Sequence, residues 1–75
     1  MKTIIFKQVK KDNKIIVKHN RKIKAKIYIK DNGYQLIING VSWEKSSLNE
    51  CYLHIIEIYS NILNVFGFNN EIQII

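Results

Sequence analysis

Apolar and polar side chains alternate strictly from Lys22 to Lys30 (Lys-Ile-Lys-Ala-Lys-Ile-Tyr-Ile-Lys), the period of two expected of a strand buried on one face. Shorter runs of the same kind flank it. Thr3–Val9, Lys14–Lys18, Lys22–Lys30 and Tyr34–Asn39 are predicted strands, divided by the turn-forming stretches Lys10-Lys11-Asp12-Asn13, His19-Asn20-Arg21 and Asp31-Asn32-Gly33. Four strands joined by short turns predict an antiparallel meander. Asn32-Gly33 is the strongest local signal, because a type I′ turn needs positive φ at both central residues. With that pair at the centre, Ile29 opposes Leu36 and Tyr28 opposes Ile37; Ile27, Ile29, Leu36 and Ile38 then face the core, and Lys26, Tyr28, Lys30, Gln35 and Ile37 face away. A three-residue turn at His19–Arg21 extends the same parity. It sets Val17 against Ile23 and Ile15 against Ala25 inside, with Lys18 against Lys22, Ile16 against Lys24 and Lys14 against Lys26 outside. The first strand offers apolar sets on both faces, Ile4/Phe6 and Ile5/Val9, and leaves its register open.

Beyond Gly40 and Trp43 the period changes. Ser47 and Glu50 have capping-box spacing, and Leu48, Tyr52, Ile55, Tyr59, Ile62 and Phe66 recur at steps of three and four, predicting a helix from about Leu48 to Phe66 that stops at Gly67. Its flanks (Cys51, Leu53, Ile56, Ile58, Leu63, Val65) are also apolar, a surplus that suits self-association into a homodimer or a protein partner. Asn70–Ile75 alternates like a short strand and fits a sheet edge beside the first one. The fold class expected is α+β: a β-meander of about four strands, one amphipathic helix packed on one face, and a short C-terminal strand, in the order β-β-β-β-α-β.

Length and charge narrow the picture. Seventy-five residues suit a single domain over 1–75, which buries roughly 60% of the surface its unfolded chain exposes. One cysteine, Cys51, excludes an internal disulfide, and no Cys/His cluster has zinc-like spacing. With no secretory or membrane-spanning pattern, a cytoplasmic location is expected. The net charge of +6 is divided unevenly: residues 1–30 hold eleven basic side chains against one acidic, and residues 31–75 hold one basic against five acidic. The basic half is the one suited to an anionic partner.

Four lysines and a tyrosine on one face of Lys22–Lys30 make that strand the main candidate for chemistry. In the register above, Lys18/Lys22 and Lys14/Lys26 are opposed like charges, which cost up to about 1 kcal/mol per pair unless a polyanion neutralises them. Lys14, Lys18, Arg21, Lys22, Lys24, Lys26 and Lys30 are candidate phosphate contacts, and Tyr28 a stacking or packing residue among them. Ile16 and Ile37 give the face an apolar centre. Arginine occurs once, so guanine-specific reading is poorly equipped. Trp43 caps the end of the core or anchors a partner. Glu50, His54 and Glu57 share a helix face, a set that could exchange protons or hold a metal but reads more simply as a solvated surface.

The order of elements, with its basic Lys22–Lys30 strand, resembles the arm-binding domains of integrases over Lys14 to Asn64. That resemblance rests on element order and one strand, without a residue motif, and implies a sheet face entering a DNA groove. The expectation is a non-enzymatic nucleic-acid-binding module with no cofactor, no catalytic set, no metal and no membrane partner. The alternative is a phage or mobile-element inhibitor, anti-CRISPR-like in size, that binds a host nucleic-acid-processing protein through Trp43, Ile16 and Ile37.

Overall fold

The computed structural model describes residues 2–64 and 70–75. Strands β1 (Lys2–Lys11), β2 (Lys14–His19), β3 (Lys22–Lys30), β4 (Gly33–Ile38) and β5 (Val41–Lys45) are followed by helix α1 (Leu48–Asn64) and strand β6 (Asn70–Ile74). They form one six-stranded sheet in the order β5-β4-β3-β2-β1-β6. The meander is antiparallel throughout. The helix then serves as the crossover that a parallel pairing needs, and β6 lies parallel to β1 with Ile4 beside Ile72 and Phe6 beside Ile74. The tail therefore joins the sheet edge that its alternation suggested, and β1 is resolved with Phe6 inside and Ile5 and Val9 outside. Gly67, the expected helix stop, and Phe66 and Val65 fall outside the described residues.

The fold contains one strand more than the four read from the pattern. Val41–Lys45 pairs with β4, Leu36 opposite Trp43 and Ile38 opposite Val41. Its turn is Asn39-Gly40, with φ of 51° and 81°, so the type I′ geometry expected of an Asn-Gly pair occurs here. At the other Asn-Gly pair it does not. Lys30 pairs with Gly33 across Asp31-Asn32, and Ile29 opposes Tyr34 instead of Leu36. The slide is by two residues, one full pleat, so every side chain keeps its face. Gly33 takes a φ of 143°, and a Cβ on it would lie 2.7 Å from the backbone oxygen of Lys45. Gly33→Ala is expected to lower Tm by at least about 5 °C in a thermal melt, since strain of this kind alone costs about 1–3 kcal/mol.

At the second hairpin the difference reaches the faces. The turn has two residues, Asn20 and Arg21, at φ 51° and 67°; His19 opposes Lys22 and Lys18 opposes Ile23. A β-bulge then shifts the register, after which Val17 opposes Ala25, Ile16 opposes Lys26 and Lys14 opposes Tyr28. Opposed residues share a face, so the bulge reverses the parity of β3 before Ala25. Ile23 is moved out of the core and is 51% exposed. The opposed pairs Lys18/Lys22 and Lys14/Lys26 do not form. The bulge is held from the helix side: the Tyr59 hydroxyl donates to the backbone oxygen of Lys24, and the Lys24 Nζ lies 5.6 Å from the centre of the Tyr59 ring. Burial pushes the Tyr59 phenol above its ordinary pKa.

The core lies between the helix and one sheet face. Phe6, Ile15, Val17, Ala25, Ile27, Leu36 and Ile38 meet Cys51, Ile55 and Tyr59, with Ile72 beside them. The helix is rotated from the expected stripe. Its centre is Cys51, Ile55 and Tyr59, at steps of four, and Ile62 is half exposed. At the helix start the Glu50 N–H donates to Ser47 Oγ at 3.2 Å, and the Glu50 carboxylate accepts from the Ser46 hydroxyl and the Ser46 N–H. These bonds, the hydroxyl's foremost, lower the Glu50 pKa.

Candidate nucleic-acid interface

A sheet covered by one helix leaves its second face to solvent, and here the registers place most of the lysines on it. One row across the strands runs Lys7, Lys18, Ile23; the next runs Val9, Ile16, Lys26, Ile37, Ser42; a third runs Lys11, Lys14, Tyr28, Gln35, Glu44. Lys30 stands beyond Tyr28 on β3. Six lysines thus share one continuous surface: Lys7, Lys11, Lys14, Lys18, Lys26 and Lys30. Opposed like charges do exist, but between β1 and β2, as Lys7/Lys18 and Lys11/Lys14. The candidate residues Lys22 and Lys24 are elsewhere. Lys22 shares the helix-side parity of His19, and Lys24 is turned onto Tyr59.

Lys7 and Lys11 carry no weight in the sequence reading because the first strand's register was open there. The stretch Lys7-Gln8-Val9-Lys10-Lys11 does not alternate, and the core position of Phe6 is what puts Lys7, Val9 and Lys11 on the outer parity of β1. Lys26 sits in its row between Ile16 and Ile37, and all three are half-buried, so the lysine stem lies along apolar neighbours while its ammonium group reaches solvent. Tyr28, also half-buried, lies between Lys14 and Gln35. The apolar centre expected from Ile16, Tyr28 and Ile37 is therefore assembled, flanked by charge. Lys30 is the one lysine of the face that forms an ion pair among the described residues, with Glu44 at 3.7 Å. An ion pair this exposed is worth about 0–1 kcal/mol.

A cleft of about 720 Å³ opens at one corner of this surface. The β1–β2 ladder runs from Lys11/Lys14 to Lys7/Lys18 and ends there, while the first half of β1 pairs with β6 on its other side. The gap is bridged by His19, whose Nδ1 lies 3.1 Å from the backbone oxygen of Ile5 and whose ring packs 5.3 Å from Phe6. Asn20 Nδ2 reaches His19 Nε2 at 3.2 Å, so Nδ1 carries the proton and donates to Ile5 while Nε2 accepts. Lys2, Lys7, Lys18 and Arg21 surround the opening, with Ile5 and Val9 in its wall. Arg21, a turn residue in the sequence, is thereby brought beside the lysine face.

The other candidates lie on the far side of the molecule. Trp43 packs over the core with its ring 4.6 Å from that of His54. It caps the core edge and does not join Ile16 and Ile37, which are on the opposite sheet face. His54 packs against Trp43 and lines an open depression with Glu50 and Glu57, and the Glu50 carboxylate is committed to the helix cap. Among the described residues no three His, Cys, Asp or Glu side chains converge as a metal site. Cys51 is a buried free thiol whose pKa is raised by burial, the reverse of an activated nucleophile. No described helix is long and apolar enough to cross a membrane. Compared with family models, with curated proteins and with solved structures, the chain matches none of them.

Proposed function

We propose that this chain is a non-enzymatic, cytoplasmic module that binds nucleic acid through its outer sheet face, without sequence selectivity. The observation that supports it most is the placement of Lys7, Lys11, Lys14, Lys18, Lys26 and Lys30 on one surface, two pairs of them directly opposed. Each opposed pair costs up to about 1 kcal/mol in the free protein; a phosphate backbone lying over the sheet offsets that cost by placing negative charge between the opposed ammonium groups. Lysine is a point charge with freely rotating donors, suited to phosphate, whereas the bidentate fork that reads guanine occurs only at Arg21.

Salt dependence is the direct test. With Lys30 shared with Glu44, the other five lysines give a slope of log K against log salt of about −4 to −5 on duplex DNA and about −3.5 on single strands. Failure to bind any DNA or RNA at low salt overturns the proposal. A second reading, a phage or mobile-element inhibitor of anti-CRISPR-like kind, draws on Leu53 and Ile62, which are 58% and 50% exposed on the helix. Binding through such apolar anchors persists at high salt, where lysine–phosphate binding is lost.

A further inference from the structure

We infer that the outer face takes single-stranded rather than duplex nucleic acid, seating one unpaired base in the cleft between β1 and the Asn20–Arg21 turn; this rests on the nucleic-acid reading above. Three exposed apolar residues of the sheet gather here, while Val41 is exposed at the far edge on β5. Ile5 and Val9 line the cleft, at 39% and 52% exposed, and Ile23 follows Lys18 in the adjoining row. A duplex hides the faces of its bases within the stack and presents phosphates outermost, so an apolar wall behind a lysine rim gives it nothing to contact. A single strand can turn a base inward while its neighbouring phosphates stay at the rim. Lys7, Lys18 and Arg21 stand at that rim.

The volume, about 720 Å³, is within the range of small-ligand clefts and accommodates a nucleotide. The same relief argues against a lipid surface. Ile5 and Val9 lie on a strand among lysines whose longer side chains can extend beyond them, which holds a flat bilayer off. Interfacial membrane binding requires the apolar residues to project. Arg21 sits at φ 67°, a conformation in which a β-carbon is disfavoured and glycine is the usual occupant. An arginine there puts a guanidinium beside the cleft.

Fluorescence anisotropy with a deoxythymidine oligomer of about 12 nucleotides, a length whose duplex form, at ~3.4 Å per base pair, matches the 40 Å length of the molecule, tests the inference. The comparisons are an abasic oligomer of equal length and charge, a duplex of equal length, and phosphatidylglycerol vesicles. The expected result is that deoxythymidine binds about tenfold or more tightly than the abasic strand, in line with base stacking, and more tightly than the duplex. Ile5→Ser/Val9→Ser, a neutral change at exposed positions, should bring deoxythymidine down to the abasic level and leave abasic binding unchanged. Equal affinity for the two strands, tighter duplex binding, or an unaffected double variant overturns the single-strand inference alone. Binding to vesicles without any oligomer binding overturns the nucleic-acid reading with it.

Discussion

Lys18→Glu/Lys26→Glu is expected to weaken oligonucleotide binding by about 50-fold or more at moderate salt, whereas Lys10→Glu/Lys22→Glu changes it several-fold at most. Both variants carry the same net charge, +2, four units below the parent's +6, so long-range attraction falls equally in the two. They differ in where the charge is lost. Lys18 and Lys26 occupy neighbouring rows of the outer face, while Lys10 opposes Ile15 and Lys22 opposes His19, on the helix-side parity. Two phosphate contacts carry about 1.4–1.8 units of the salt slope, and reversing a charge adds repulsion to that loss. All four residues are solvent-reaching strand lysines, so folding is expected to survive in both variants, as circular dichroism would verify. Equal losses in the two would show that binding follows net charge and that the face has no role of its own. Retention of a protein partner in both, at high salt, would favour the inhibitor reading.

The second large effect concerns the fold. Phe6→Ala is expected to cost about 3–5 kcal/mol, from a stability of roughly 4–11 kcal/mol for a chain of this length. Phe6 is 2% exposed and joins four parts of the molecule: Tyr59 of the helix at 5.5 Å edge-to-face, His19 of β2 at 5.3 Å, and Ile74 of β6 beside its own strand. Its loss leaves a cavity under the crossover and loosens the ring that holds the Lys24 bulge. Ile62→Ala is the contrasting variant. A helix stripe through Tyr52, Ile55, Tyr59 and Ile62 makes Ile62 a core residue; at 50% exposure it is expected to cost no more than about 1 kcal/mol. Urea unfolding of the two compares them directly, and similar midpoint shifts would contradict the helix rotation described above.

The β-rich half was legible in the sequence because its signal has a period of two. Pairing Ile29 with Tyr34 instead of Leu36 moved a register by one full pleat, and Ile27, Leu36 and Ile38 remained in the core. The fifth strand went unread, although Asn39-Gly40 followed by Val41-Ser42-Trp43-Glu44 carries the turn and the alternation that mark it. The helix was legible as an element but not in its orientation. Apolar residues lie on nearly every side of it, and several faces satisfy a helical period equally well.

The sequence by itself determined the alternation of Lys22–Lys30, the strand–turn–strand order, the capped helix start and the concentration of positive charge in the first thirty residues. These are local properties, set by residue type and spacing. Only the tertiary structure decided which lysines share a surface. A bulge beside Lys24, held by a hydroxyl from Tyr59 thirty-five residues along the chain, turns Lys22 and Lys24 away and brings Ile23 out. The core position of Phe6, settled by β6 and the helix, brings Lys7 and Lys11 in. Neither contact leaves a trace in the periodicity of its own strand, because a strand's period states that two faces differ and its packing partners choose which one is covered.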